Sequence, residues 1–200
     1  MTKATHTAKP SPTTQDHGET EELRDLLVSG IPEEDLAGYP AEALSKAAAI
    51  ASESLRRHEP GQSVIDIRTD SGIAFDGRTL TTVTVVNDNM PFLFDSVIGE
   101  ISETVGEPTF VAHPIVTLSG GNKVSLIHIH LKRLAAEEAR ALQERLCIIL
   151  SQVRVAVNDW KPMLTRIGTE IERLRDKPPA LEPKAVQEAI AFLEWLRDEN

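Results

Sequence analysis

The sequence predicts an α+β domain, a ferredoxin-like antiparallel sheet with helices on one face, preceded by N-terminal helices and followed by a long helical segment. Three observations carry that expectation. Residues 80–132 read as strand, helix, strand, strand, which is how that fold opens. Ser119-Gly120-Gly121-Asn122 marks a hairpin between the last two strands. From Leu142 the apolar positions advance by alternating steps of three and four, the spacing of a helix or coiled coil.

Taken in order, residues 1–19 hold Thr, Lys, Pro, Ser and His without apolar periodicity and read as a disordered leader. Leu23, Leu26 and Leu27 share one face of a helix over 20–29, which Gly30 stops. A loop with Pro32, Gly38 and Pro40 follows, then a helix over 41–58 rich in Ala, Glu and Leu, ended by Pro60-Gly61. Val64 to Arg68 is a short strand candidate. Asp70-Ser71-Gly72 and Asp76-Gly77 are turn signals around a weak apolar stretch. Leu80 to Val86 is dense in β-branched residues and reads as a strand. Pro91 suits a first helical turn, and Phe94, Val97, Ile98, Ile101 and Val105 continue that helix to Gly106. Thr109 to Leu118 and Lys123 to Lys132 form the hairpin.

Val153 to Val157 alone suits a fourth strand, but the unbroken periodicity through Trp160, Ile167 and Leu174 favours helix. If helix holds, the fourth strand must come from upstream, and Val64 to Arg68 is the candidate. Pro162 would kink the helix or start a new one. Lys177-Pro178-Pro179 breaks it, and residues 184–198 form a last amphipathic helix. The expected organisation is a leader at 1–19, a helical segment at 20–60, the sheet domain at 61–158 and a helical linker at 159–200.

Composition limits the function. A net charge of -10 argues against a nucleic-acid backbone or an anionic membrane as partner. No stretch is apolar and long enough to span a bilayer. Cys147 is the single cysteine, which excludes an intrachain disulfide and fits a reducing cytoplasm. Its apolar helical setting reads as buried. Dinucleotide and Walker fingerprints are absent, as are a nucleophile elbow and paired zinc-type cysteines. The segment therefore carries neither catalytic nor cofactor-binding residues by this reading, and no metal.

Two residue sets stand out. His128 and His130 are two apart on a strand and share a face, opposite Ile127, Ile129 and Leu131. His113, across the hairpin, is expected near His128. Three imidazoles together would suit zinc, while the plainer reading is an open sheet face that packs at an interface. Trp160, on the long helix, is a further core or interface candidate. The second set is the strand-to-helix junction of Asn87, Asp88, Asn89, Met90, Pro91, Phe92, Asp95 and Ser96. Asp88 and Asn89 are expected to cap the helix, and a helix start can also hold a ligand carboxylate.

These residues resemble a known family. VVNDNMPFLFDSVIGEI is similar to the "vnDDMPFLVDS" signature of the large NAD-specific glutamate dehydrogenases of bacteria. AHPIV, VRVAVNDWKPM and the final AIAFLEWLRDEN resemble further segments of that family in the same order, and HEPGQ before the strand also fits. The resemblance covers roughly Gly38 to Asn200, with Met1 reading as a natural start and Asn200 as a cut. It implies an N-terminal, non-catalytic, ACT-like region that is regulatory or mediates oligomerisation. The parent would be a long cytoplasmic homo-oligomer that oxidises L-glutamate with NAD to 2-oxoglutarate and ammonia. The implied partners are the remainder of that polypeptide and an amino-acid effector. An alternative is an amino-acid-binding ACT module, and a third is a small metal-binding protein using His113, His128 and His130. ACT sensors carry a "D-x-P-G-L-L-x-D" junction whose glycine lets a ligand approach the backbone. Phe92 stands at that glycine, which would fill the space and shifts the expectation from sensing to assembly.

Overall fold

The computed structural model describes residues 14–36, 38–118 and 120–198. Two compact units divide the chain, Met1–Leu150 and Ser151–Asn200. The first holds helices α1 (Thr14–Val28), α2 (Glu33–Leu36), α3 (Ala41–Arg56) and α4 (Leu93–Thr104). Its strands are β1 (Val64–Arg68), β2 (Ala74–Phe75), β3 (Arg78–Asp88), β4 (Phe110–Ala112), β5 (Ile115–Thr117) and β6 (Lys123–Lys132). Helix α5 (Ala136–Asp176) starts in this unit, and α6 (Pro183–Asp198) belongs to the second.

The main sheet runs β1-β3-β6-β4, with β5 continuing along β6 and β2 hairpinned on β3. Every pairing is antiparallel. The fourth strand is the upstream segment Val64–Arg68, paired with Thr82–Val86. Residues 153–157 are helical, within α5, which passes through Pro162 without ending. The strand-helix-strand-strand core therefore gains its outer strand from before the core rather than after it.

Alternation assigns the two faces. Leu80, Thr82, Thr84 and Val86 of β3 stand beside Leu126, His128 and His130 of β6. This face carries Phe110 and Ala112 of β4 and packs with Leu23, Leu27, Ala43, Ala47 and Ala51 in one core. The alanine stripe at i, i+4, i+8 lets α3 lie close on β1, β3 and β6. On the other face Val83, Val85, Ile127, Ile129 and Leu131 are fully buried. The buried stripe Leu93, Val97 and Ile101 of α4 and Leu142, Leu146 and Leu150 of α5 serves that side. Two bonds tie it down: Leu134 N donates to Thr81 Oγ1 at 2.9 Å, and Arg145 reaches Glu100 at 3.6 Å.

Several expectations change in detail. The first helix begins at Thr14, so it takes up part of the expected leader, and residues 1–13 lie outside the described residues. The weak stretch before β3 is a hairpin whose turn residues Asp76 and Gly77 have φ of 49° and 72°, the geometry that favours Asp-Gly. The expected strand over Thr109 to Leu118 breaks at His113-Pro114, because proline cannot donate to the ladder. Cys147 is exposed rather than buried. The buried positions of α5 step through Leu142, Leu146 and Leu150, and Cys147 sits a further 100° round the helix from Leu146.

In the second unit, Ile171 and Val186 are buried and Arg175 pairs with Glu194 across α5 and α6. Phe192 and Trp195 stack on one another with centroids 6.0 Å apart, both exposed. No helix among the described residues is long and apolar enough to cross a membrane.

Candidate functional site

The histidines divide between the two faces. His128 and His130 lie on the face covered by α1 and α3, and both are fully buried. The open histidine face expected from the sequence is therefore closed, because the N-terminal helices supply the missing layer. His113 is not among them. The hairpin pairs Ala112, not His113, with His128, and a one-residue difference in register turns a side chain to the opposite face. There His113 Nε2 bonds Ser125 Oγ at 2.6 Å and its ring stacks flat on Phe94 at 4.7 Å. Three imidazoles do not converge, so the zinc reading loses its third ligand. No group of three or more potential ligands forms among the described residues.

What the buried pair forms instead is a hydrogen-bonded chain. Thr84 Oγ1 lies 2.9 Å from His128 Nδ1, and His128 Nε2 lies 3.1 Å from His130 Nε2. His130 Nδ1 is 3.4 Å from the Tyr39 hydroxyl, which lies 3.3 Å from the Thr109 carbonyl. The carbonyl can only accept, and this sets the direction. Tyr39 donates to Thr109 O, His130 Nδ1–H to Tyr39, His128 Nε2–H to His130 Nε2, and Thr84 to His128 Nδ1. Each imidazole is then neutral with both nitrogens satisfied. A proton added to His130 would set N–H against N–H across the 3.1 Å contact. Burial, and then the Arg68 guanidinium, pushes His128 down to about 3. Burial, and then His128, pushes His130 down to about 2. Aromatic contacts extend the chain outward: His130 stacks on Phe110 at 4.6 Å, and Tyr39 stacks on Phe75 at 4.5 Å.

At the junction, the capping expectation is replaced. Helix α4 begins after Phe92, and no side chain caps it. Asp88 Oδ2 instead accepts from Gly61 N at 2.8 Å, and Oδ1 lies 3.4 Å from His58 Nε2, so the carboxylate ties the Pro60-Gly61 turn to the end of β3. Buried Asn87 accepts from Ser63 Oγ at 2.6 Å. Asn89 N donates to Lys123 O, extending the sheet edge by one bond. Pro91 and Phe92 form a turn just outside the helix, and Ser96 N donates to Phe92 O at 3.0 Å. Asp95 lies in the first turn, where its charge suits the helix dipole. Met90 is half-buried.

Phe92 has φ of 66°, in the left-handed region that glycine adopts freely. The residue is 66% exposed, so Phe92 does not fill the space at the junction as the sequence suggested. Trp160, 44% exposed, is likewise not core.

Comparison with known proteins agrees with this architecture. The family model described as "Glutamate dehydrogenase, ACT1 domain" matches residues 23–154. An NAD-specific glutamate dehydrogenase of Halomonas elongata is 28% identical over 203 residues, 91% of this chain and 13% of that protein. One from Pseudomonas aeruginosa is 30% identical over 144 residues, 61% of this chain and 9% of that protein. The chain thus spans a small fraction of the relatives it matches. The matched region starts in α1 and ends within α5, so it takes in both helical layers and the whole sheet, and the chain belongs to the family of the glutamate dehydrogenase ACT1 domain.

Proposed function

We propose that this chain is the N-terminal, non-catalytic region of a large NAD-dependent glutamate dehydrogenase, and that it serves structure and assembly rather than amino-acid sensing. The parent enzyme on this reading converts L-glutamate and NAD to 2-oxoglutarate, ammonia and NADH in the cytoplasm, as a homo-oligomer. Its substrate and NAD sites belong to other parts of that polypeptide. The single observation that carries the assembly role is Phe92. An exposed aromatic ring held at φ of 66° costs both hydration and backbone strain. The hydration cost is recovered when a partner surface covers the ring, and the strained backbone holds the ring outward where such a surface can reach it. The polar residues beside it support the same reading, because Asn87 and Asp88 are already committed to Ser63, Gly61 and His58.

Thermal unfolding against a panel of amino acids at millimolar concentration separates assembly from sensing. Binding to the native state must raise the melting temperature. No rise that depends on the Asn87–Ser96 junction is expected, and a saturable rise with any member that is lost on changing that junction would restore the sensor reading.

A further inference from the structure

The end of the sheet remote from Phe92 carries a feature that the assembly role does not use. The β2–β3 hairpin folds Phe75 over Gly38, where a Cβ would meet the Phe75 ring at 2.6 Å. The half-buried ring then divides two cavities. One, of about 530 Å³, lies against Ile31, Pro32 and Phe110. The other, of about 460 Å³, is lined by Arg78, Lys132 and Arg133. Both are also lined by Thr109, and each falls in the size range of small-molecule sites.

Charge distinguishes the second cavity. The chain carries a net charge of -10, and most arginines among the described residues pair with carboxylates, as Arg57 and Arg68 do with Asp66. Among the described residues, Arg78, Lys132 and Arg133 have no carboxylate partner within 4.0 Å, yet the fold brings all three together from two strands and the segment after β6. Asp76 also lines the cavity, and Glu34 lines the other one. The result is a local positive field on an acidic protein, with forked guanidinium donors suited to a carboxylate or phosphate and an aromatic face alongside.

We propose that this groove binds a small organic anion: its carboxylate or phosphate rests among Arg78, Lys132 and Arg133, and its apolar or aromatic body lies against Phe75. The site is continuous with the core, since Phe75 stacks on Tyr39 and Tyr39 meets His130. An occupant would thus rest on the same aromatic stack that encloses the buried histidine pair.

The test uses the full chain and phenyl phosphate as probe, titrated by calorimetry and by amide chemical shifts. Inorganic phosphate, benzyl alcohol and benzylamine serve as comparators. Saturable phenyl phosphate binding is expected, with shifts centred on residues 74–80, 108–110 and 131–134. Affinity should fall by about tenfold or more in R78E/R133E, whose side chains are solvent-exposed and whose folding is checked by circular dichroism. F75A should weaken phenyl phosphate but leave inorganic phosphate unchanged. The proposal is overturned by no saturation up to about 10 mM, by undiminished binding in folded R78E/R133E, or by inorganic phosphate or benzylamine binding as tightly as phenyl phosphate.

Discussion

Lowering the pH from 7 to 5 should destabilise this domain sharply, and the buried histidine pair is the reason. In the folded chain His128 and His130 titrate at about 3 and about 2, against an ordinary value of 6.5. Between pH 6.5 and those values the unfolded chain therefore binds two protons that the folded chain refuses. Stability is fully present above pH 6.5 and falls as pH drops toward the folded values. At pH 5 the gap is 1.5 units below the unfolded value, worth about 2 kcal/mol per histidine and about 4 kcal/mol for the pair. Against a domain stability of roughly 5–15 kcal/mol, that loss decides whether the fold survives. Carboxylates held low by arginines, such as Glu53 and Asp66, titrate below this window. His113 is also lowered by burial and adds in the same direction. Urea unfolding at pH 7 and pH 5 measures the difference, and H128L/H130L, compared with the parent at both values, isolates the pair. The parent should lose about 4 kcal/mol more than the variant on acidification. Equal losses in the two proteins, or a parent loss under about 1 kcal/mol, would refute the reasoning, because the pair would then be protonated or hydrated in the fold.

Other perturbations have equally definite outcomes. Gly38→Ala places a Cβ 2.6 Å from the Phe75 ring and should cost roughly 1–3 kcal/mol in urea unfolding as the ring leaves Tyr39. Phe92→Gly removes left-handed strain at little cost in burial, and should raise the stability of the isolated chain by roughly 1 kcal/mol, read as a melting-temperature increase of several degrees. Asp66→Asn takes the carboxylate away from Arg57 and Arg68 and should lower stability by about 1–3 kcal/mol, less so at high salt. Exposed Cys147 should react with a disulfide reagent in native buffer at nearly the rate seen in urea, whereas a protected thiol would react only after unfolding.

Much of the fold was legible because local patterns decided it. The stretch from Lys123 to Lys132 reads as a strand from end to end, and the three-and-four spacing through Val153 and Trp160 favoured helix over a strand there. That preference pointed upstream to Val64 for the fourth strand. What stayed illegible depended on register and on tertiary partners. One residue of register separates His113 beside His128 from His113 on the opposite face. Helix propensity identified α3 but not that its alanine stripe would close over the histidines. Apolar periodicity also could not say on which flank of α5 Cys147 falls. At the junction, Asp88 has the right residue type for a cap, but Gly61 N is its partner across the sheet end. The groove at Phe75 went unread because residues 70–79 showed only turn signals. The Asp76-Gly77 pair between Phe75 and Arg78 was the available clue to a hairpin.

The proposed assembly role is tested most directly by sedimentation velocity on the chain alone and mixed with the separately produced remainder of the proposed parent dehydrogenase. Concentration-dependent self-association, or co-sedimentation with the remainder that weakens when Phe92 is replaced by Asp, is the predicted result. A chain that stays monomeric at every concentration and shows no affinity for the remainder would contradict it.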